Sequence, residues 1–342
     1  MSEYTSLDSL GEFGLIRRLQ EHVELQNPST VLGIGDDAAI IEPGQKQIVI
    51  STDMLIENVH FDLTFCPLKH LGYKAVAVNV SDIAAMNAIP TQIVVSLAIS
   101  ARYTVEAMEE LYEGMRLACE NYKVDLVGGD TTSSRSGLVI SVTALGEVEK
   151  GKAVLRSTAQ VNDLICVTGD LGGAYLGLQL LEREKQAFLA DPETQPELEG
   201  KDYVVGRQLR PEARMDVIHE LKELGVHPTS MIDISDGLGS ELLHICSQSR
   251  VGAAVFQDKL PVDQQTLDTA EEFKIDPVTC IMNGGEDYEL LFTAKLADYD
   301  KLKNHPDITI IGKITDASEG VNLVTPSGNA HAIKAQGWNH FA

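Results

Sequence analysis

Positive charge is in short supply: 27 Lys and Arg face 51 Asp and Glu, a formal net charge of −24. The basic residues are scattered, with no run of them. A nucleic-acid binder needs a basic face to neutralise phosphates, so that class is excluded. Cysteine is sparse too. Cys66, Cys119, Cys166, Cys246 and Cys280 are odd in number and far apart, and no C-x-x-C occurs. Neither a disulfide framework nor a structural zinc site is expected, and reduced thiols in the cytoplasm are the default. Long apolar runs are missing; IVV within Thr91–Ser100 is typical and far too short to span a bilayer. The opening MSEYTSLDSLGEFG is acidic and lacks the apolar centre of a signal peptide. Familiar catalytic signatures are absent as well. There is no G-x-x-x-x-G-K-S/T phosphate loop, no H-R-D with D-F-G, no H-E-x-x-H, no G-x-S-x-G and no Cys/His cluster.

What is present is an ordinary globular composition, 44% hydrophobic and 23% charged over 342 residues, enough for two domains with substantial cores. Helical and extended patterns alternate. Helices are expected at Glu12–Val23, Leu68–Met86, Val105–Tyr122 and Ala174–Glu184, from Pro211 to Leu224, and over Gly237–Ser247 with Ser235 or Asp236 as cap. Strands are expected at Gln47–Thr52, Thr91–Ser100, Val124–Val127, Leu138–Val148, Asp163–Thr168 and Met231–Ile234, and from Asp287–Ala294 through Val321–Val324. Polar, acidic Gln186–Lys201 reads as a loop. A second unit starts near Gly146–Lys152, which divides the chain into residues 1–148 and 149–342. The class is mixed α/β or α+β.

The aspartates carry the chemistry. Asp36 and Asp37 sit in GIGDDAAI, Asp53 ends QIVISTD, and Asp82 lies in NVSDIAAM. Asp130 ends VDLVGGD, Asp233 and Asp236 flank Ser235 in MIDISDGL, and Glu286 and Asp287 occur in NGGEDYEL. Turns and helix caps account for any one of these. They do not account for the recurrence just after buried strands, where loops from several elements converge on one face. Mg²⁺ is a hard ion that takes carboxylate, water and phosphate oxygens, so such a set would clamp a polyphosphate. Gly128-Gly129, Gly172-Gly173 and Gly284-Gly285 would let backbone N–H groups face phosphate oxygens.

Six motifs in order, GIGDDAA, STDMLIENVHF, YKAVAVNVSDIAAM, GGDTT, DISDGL and GGEDYEL, resemble the thiamine-monophosphate kinase family of the aminoimidazole ribonucleotide synthetase-like superfamily. The resemblance runs from Gly11-Glu12-Phe13 to Gly337-Trp338-Asn339-His340-Phe341. It implies a two-domain fold whose N-terminal domains pair in a homodimer through a shared β-barrel. Residues 1–148 would carry ATP, Mg²⁺ and dimer contacts, and residues 149–342 would complete the nucleotide and substrate site. It implies transfer of phosphate from ATP to thiamine monophosphate, with several Mg²⁺ ions. Carried over by motif, Asp37, Ser51, Thr52, Asp53, Asp82, Asp130, Asp233 and Asp236 contact Mg²⁺. Gly129, Asp130, Arg156, Ser235 and the neighbouring Tyr112 contact ATP. His60, Glu286 and Trp338, the only tryptophan, line the thiamine monophosphate site. Asn58 and Asn87 stand where the family has glycine; asparagine tolerates left-handed backbone better than other non-glycine residues, so both turns are expected to survive.

The chemistry implied needs no dedicated catalytic side chain. A phosphate monoester has a second pKa of about 6 and is largely ionised at neutral pH. The difficulty is bringing two polyanions together, which bound Mg²⁺ addresses. Direct in-line transfer without a phosphoenzyme is expected. A selenophosphate-making relative would want a reactive cysteine near the N-terminus, whereas the first here is Cys66. A non-catalytic nucleotide sensor would need no such carboxylate set.

Overall fold

The computed structural model describes residues 30–32, 36, 39–42 and 45–334; the expected helix Glu12–Val23 lies outside them. Two sheets organise the chain. The first holds β1 (Thr30–Leu32), β2 (Ala39–Ile41), β3 (Lys46–Ile56), β4 (Ile89–Ser100), β5 (Asp125–Ser134) and β6 (Val139–Glu149), in the order β1-β2-β3-β6-β4-β5. Only β4 and β5 pair in parallel. The second holds β7 (Leu164–Thr168), β8 (Ser230–Asp233), β9 (Gly252–Phe256), β10 (Leu290–Ala294), β11 (Ile308–Thr315), β12 (Val321–Val324) and β13 (Ala330–Ala332), in the order β13-β12-β9-β11-β7-β10-β8. With helices packed on both sheets, the architecture is mixed α/β.

Period-two alternation gives the first sheet two unlike faces. Val49, Leu55, Ile140, Val142, Ala144, Ile93 and Val95 point inward and are buried. They meet α1 (Leu68–Ala85), whose own neighbour is α2 (Val105–Tyr122). The outward face carries Thr52, Met54, Ser96, Ser141 and Thr143, and Met54 is 53% exposed. The inner core is continuous with that of the second sheet: Val49, Ile83 and Ile93 belong to the same cluster as Leu164, Cys166 and Phe292. A second cluster, with Ile165, Val167, Ile232 and Leu242, fills the other face of that sheet. Helix α1 is therefore buried almost all round, and buries Lys74, Asn79 and Ser81 along with its apolar residues.

Several boundaries differ from expectation. The strand expected at Val124–Val127 runs on through both glycines to Ser134, because β4 supplies backbone partners along its whole length. Helix α3 (Gly173–Ala190) extends six residues past Glu184. After α4 (Asp202–Leu209), the helix expected from Pro211 starts only at Met215, as α5 (Met215–Glu223). The segment before it is tied down instead: Glu212 Oε2 accepts from the phenols of Tyr73 (2.5 Å) and Tyr122 (2.8 Å). Neither Ser235 nor Asp236 caps α6 (Leu238–Ser249); Gly237, at φ 104°, occupies that position. Helices at Gln264–Phe273 and Pro277–Asn283 were not anticipated. Asn58 and Asn87 take φ 64° and 56°, so the left-handed turns are kept.

All five cysteines are free and buried. Burial pushes Cys66, Cys119 and Cys280 up to about 11 and Cys246 to about 12, and Cys166 higher still. No helix among the described residues is long and apolar enough to cross a membrane.

Candidate active site

Three carboxylates, Asp53, Asp82 and Asp233, lie close enough to feel one another's charge where β3, the end of α1 and β8 come together. Ser51 and Asp53 share the inward face of β3. Ser51 Oγ donates to Asp82 Oδ2 at 2.5 Å, which ties strand to helix. The Asp53 backbone N–H donates to Asn79 Oδ1 at 3.0 Å, while Asn79 Nδ2 bonds back to Ala75 O at 3.0 Å. Ser81 Oγ reaches across to Asp233 Oδ2 at 2.7 Å. The motif NVSDIAAM thus works as a unit, with Asn79 and Asp82 addressing the first sheet and Ser81 the second. Asp233 is 3% exposed, whereas Asp53 and Asp82 remain half-buried and reachable.

Among the described residues only Arg156 offsets part of this charge, through its field at Asp233. Burial raises the Asp53 carboxyl to about 6, and Asp233 adds to the rise. Asp82 is raised well above the usual range by burial, then by Asp53 and Asp233. Asp233 is raised by burial, opposed by the Ser81 hydroxyl and by Arg156. Ion pairs are frequent elsewhere, yet none among the described residues involves Asp53, Asp82 or Asp233. Their oxygens do not all lie within 4.8 Å of one another, so the set suits divalent ions bridged by a polyphosphate and not one ion held by all three.

The remaining expected ligands do not all join them. Thr52 faces outward, donating Oγ1 to Val142 O at 3.0 Å and accepting from Thr143 at 2.9 Å. Asp130 pairs with Ser96, and Ser96 with Ser141, which places Asp130 on the same outward face as Thr52. Gly129 lies beside it, against β4; a Cβ there would stand 1.9 Å from Val95 O, so only glycine allows this approach. Tyr112 lines an open cleft of about 1010 Å³ between α2 and β5, with Leu126 and Val127, away from the three buried carboxylates. The expected ligands therefore occupy both faces of one sheet.

Two loops close the inner site. Arg156 donates its backbone N–H to Asp36 Oδ2 at 3.0 Å, and its Nε lies 3.4 Å from Asp36 Oδ1. Ile234–Gly237 is zipped to NGGEDYEL: Glu286 N donates to Ser235 O (2.7 Å) and Tyr288 N to Ile234 O (2.9 Å). Glu241, 2% exposed on α6, accepts from Asp236 N at 2.8 Å and from Ser235 Oγ at 3.4 Å. Burial, then Asp236, pushes the Glu241 carboxyl to about 8. Glu286 lies 2.8 Å from Lys74 Nζ. His60 Nδ1 accepts from Ile56 N at 3.0 Å, which puts the proton of the neutral ring on Nε2. Asp37 and Trp338 lie outside the described residues.

The glycine pairs are used differently from expectation. The N–H groups at Gly172 and Ala174, which open α3, are taken by Asp287 at 2.7 and 3.3 Å, leaving that helix start to a carboxylate of the chain itself. Burial raises Asp287 to about 7. A Cβ on Gly285 would stand 2.5 Å from Ser235 O, so this glycine serves loop packing. Sequence reasoning also missed Lys74, Asn79, Ser81 and Glu241. The available signal was a polar or charged residue inside an otherwise apolar helix.

Residues 35–148 match the family model described as AIR synthase related protein, N-terminal domain. Thiamine-monophosphate kinase of Bacillus subtilis (strain 168) is 35% identical over 338 residues, covering 97% of this chain and 100% of the relative. Its counterpart from Escherichia coli (strain K12) is 35% identical over 342 residues, covering 97% of this chain and 98% of the relative. Among solved structures, AaThiL complexed with AMPPCP and TMP superposes with a TM-score of 0.83 at 33% identity, covering 99% of this chain and 100% of that one.

Proposed function

This chain belongs to the thiamine-monophosphate kinase family, and from that premise we propose that it transfers the terminal phosphoryl group of ATP to thiamine monophosphate, making thiamine diphosphate. The observation that carries the reading is the buried grouping of Asp53, Asp82 and Asp233, whose charges repel one another and form no ion pair among the described residues. Mg²⁺ held there would supply the positive charge that lets two phosphates approach. Ser51 and Ser81 orient two of the carboxylates, and Asn79 fixes the strand that carries the third. Asp37 and Asp236 extend the Mg²⁺ set, with Thr52 and Asp130 on the outer face. Arg156, Ser235, Gly129, Asp130 and Tyr112 take ATP; His60, Glu286 and Trp338 take thiamine monophosphate. The acceptor phosphate is ionised at neutral pH, so transfer is direct and in line, with no base and no phosphoenzyme.

The working form is a homodimer in the cytoplasm. Support comes from the first sheet, whose outward face exposes Met54 (53%) and whose edge strand β5 exposes Leu126 (41%) and Val127 (59%). A second copy would close that sheet into a barrel. Residues 1–148 then form the ATP and dimer domain, and residues 149–342 complete the site. The test is incubation with ATP, Mg²⁺ and thiamine monophosphate, followed by chromatography. Thiamine diphosphate is the expected product, and its absence overturns the reading. Light scattering should give a dimer at micromolar concentration.

A further inference from the structure

The NGGEDYEL loop concentrates unfavourable features around one carboxylate. Glu286 sits at φ 66° and Tyr288 at φ 52°, backbone that non-glycine residues avoid. Lys74 is 3% exposed in the apolar stretch YKAVAV of α1, and its ammonium lies 2.8 Å from Glu286 Oε1. The same ammonium donates to Gln208 O at 3.2 Å. Gln208, near the end of α4, donates Nε2 to Glu286 Oε2 at 2.6 Å. Its own Oε1 is thereby left buried with no hydrogen-bond partner. Turning the amide round would set that oxygen against the carboxylate, so the orientation is forced. A buried lysine, an unmatched amide oxygen and a strained backbone all act on the same group. They do not seal it off, because the Glu286 side chain remains 27% exposed.

We infer that Lys74 and Gln208 are positioning residues that fix the partly exposed Glu286 carboxylate, which selects the cationic thiazolium and the amino-bearing pyrimidine of the acceptor. This rests on the thiamine monophosphate reading above. Each carboxylate oxygen is held by one donor from the chain and keeps a second lone pair for a ligand. A carboxylate displayed in this way repels phosphate and attracts a cationic ring, so it should act on the acceptor and not on ATP.

Lys74→Met removes the charge while keeping most of the length. It should raise the KM for thiamine monophosphate about tenfold and leave the KM for ATP within about twofold. Gln208→Met should act in the same direction with a smaller effect. On a Glu286→Gln background, Lys74→Met should add nothing further to the acceptor KM, because the group it positions is already gone. Equal shifts in both KM values, full additivity in the double variant, or a lowered melting temperature with both KM values intact overturns the inference. If Lys74→Met does not fold, Gln208→Met decides by the same criteria. A wild-type enzyme that makes no thiamine diphosphate overturns the parent reading and this one together; an active wild type whose variants show no split overturns this one alone.

Discussion

Glu289 and Asp233 sit at adjacent strand ends of the second sheet, where Leu290 pairs with Asp233, yet their charges are handled in opposite ways. Glu289 is clamped by Arg207 at 2.8 Å, Arg214 at 2.7 Å and the Thr168 hydroxyl at 2.5 Å. Asp233 receives one serine hydroxyl and only the more distant field of Arg156, and it faces Asp53 and Asp82. Both are almost fully buried. The chain evidently can supply two guanidinium groups to a buried acid in this part of the fold. Three acids nearby that form no ion pair among the described residues are a different design, suited to a cation from outside.

The strongest way to break this contrast is to neutralise an acid on the unbalanced side. Asp53→Asn removes charge without volume and should cut turnover at least about a hundredfold. Its melting temperature should hold or rise, since a repelling carboxylate has gone. Asp130→Asn, on the outward face, should lose turnover similarly with no change in melting temperature. Near-normal turnover in either variant at saturating Mg²⁺ and ATP sinks the metal reading, and a marked loss of stability in Asp53→Asn would put Asp53 in the same class as Glu289.

On the balanced side the effect should fall on stability. Glu289→Gln removes the carboxylate that Arg207 and Arg214 share and leaves them Asp287 at 3.7 Å and Asp216 at 2.9 Å, at a cost of about 3 kcal/mol. Urea unfolding should show this as a lower midpoint, with both KM values unchanged in the folded fraction. A neutral result would mean that Asp287 and Asp216 suffice to hold the two arginines.

A smaller effect sharpens the contrast through pH. Asp53 (about 6), Asp287 (about 7) and Glu241 (about 8) all hold their protons more tightly folded than unfolded. These three groups therefore bind more protons folded than unfolded between about pH 4 and 8, and their contribution to metal-free stability falls as pH rises through that window. Thermal melts without metal should drop from about pH 5.5 to about pH 8, and added Mg²⁺ should recover more at the upper pH than at the lower. Melts that climb with pH in the absence of metal would contradict the unbalanced cluster.

How far the sequence was legible follows from the reach of each contact. Asp53, Asp82 and Asp233 could be singled out because each ends or adjoins a strongly patterned element. The helices Leu68–Ala85 and Val105–Tyr122 were legible for the same reason. The partners of Lys74 and Ser81 were not, because Gln208, Glu286 and Asp233 are brought in only by the tertiary fold. Pro211 looked like a helix start, but local propensity lost to the pull of two phenols on Glu212. Gly172-Gly173 looked like a phosphate cradle; Asp287, more than a hundred residues on, had already claimed its N–H groups. Alternation along β3 separates Thr52 from Ser51 and Asp53, yet the motif alone groups all three.

The five buried thiols give the molecule a further, practical property. A thiolate is the reactive form, and burial keeps every cysteine protonated far above neutral pH. Maleimides and disulfide reagents should therefore leave the native enzyme unmodified and label it only as it opens. The rate at which five silent sulfurs become alkylated is then a clock for unfolding. A single cysteine engineered onto the exposed tip at Ser327 could carry a dye without background from the native five.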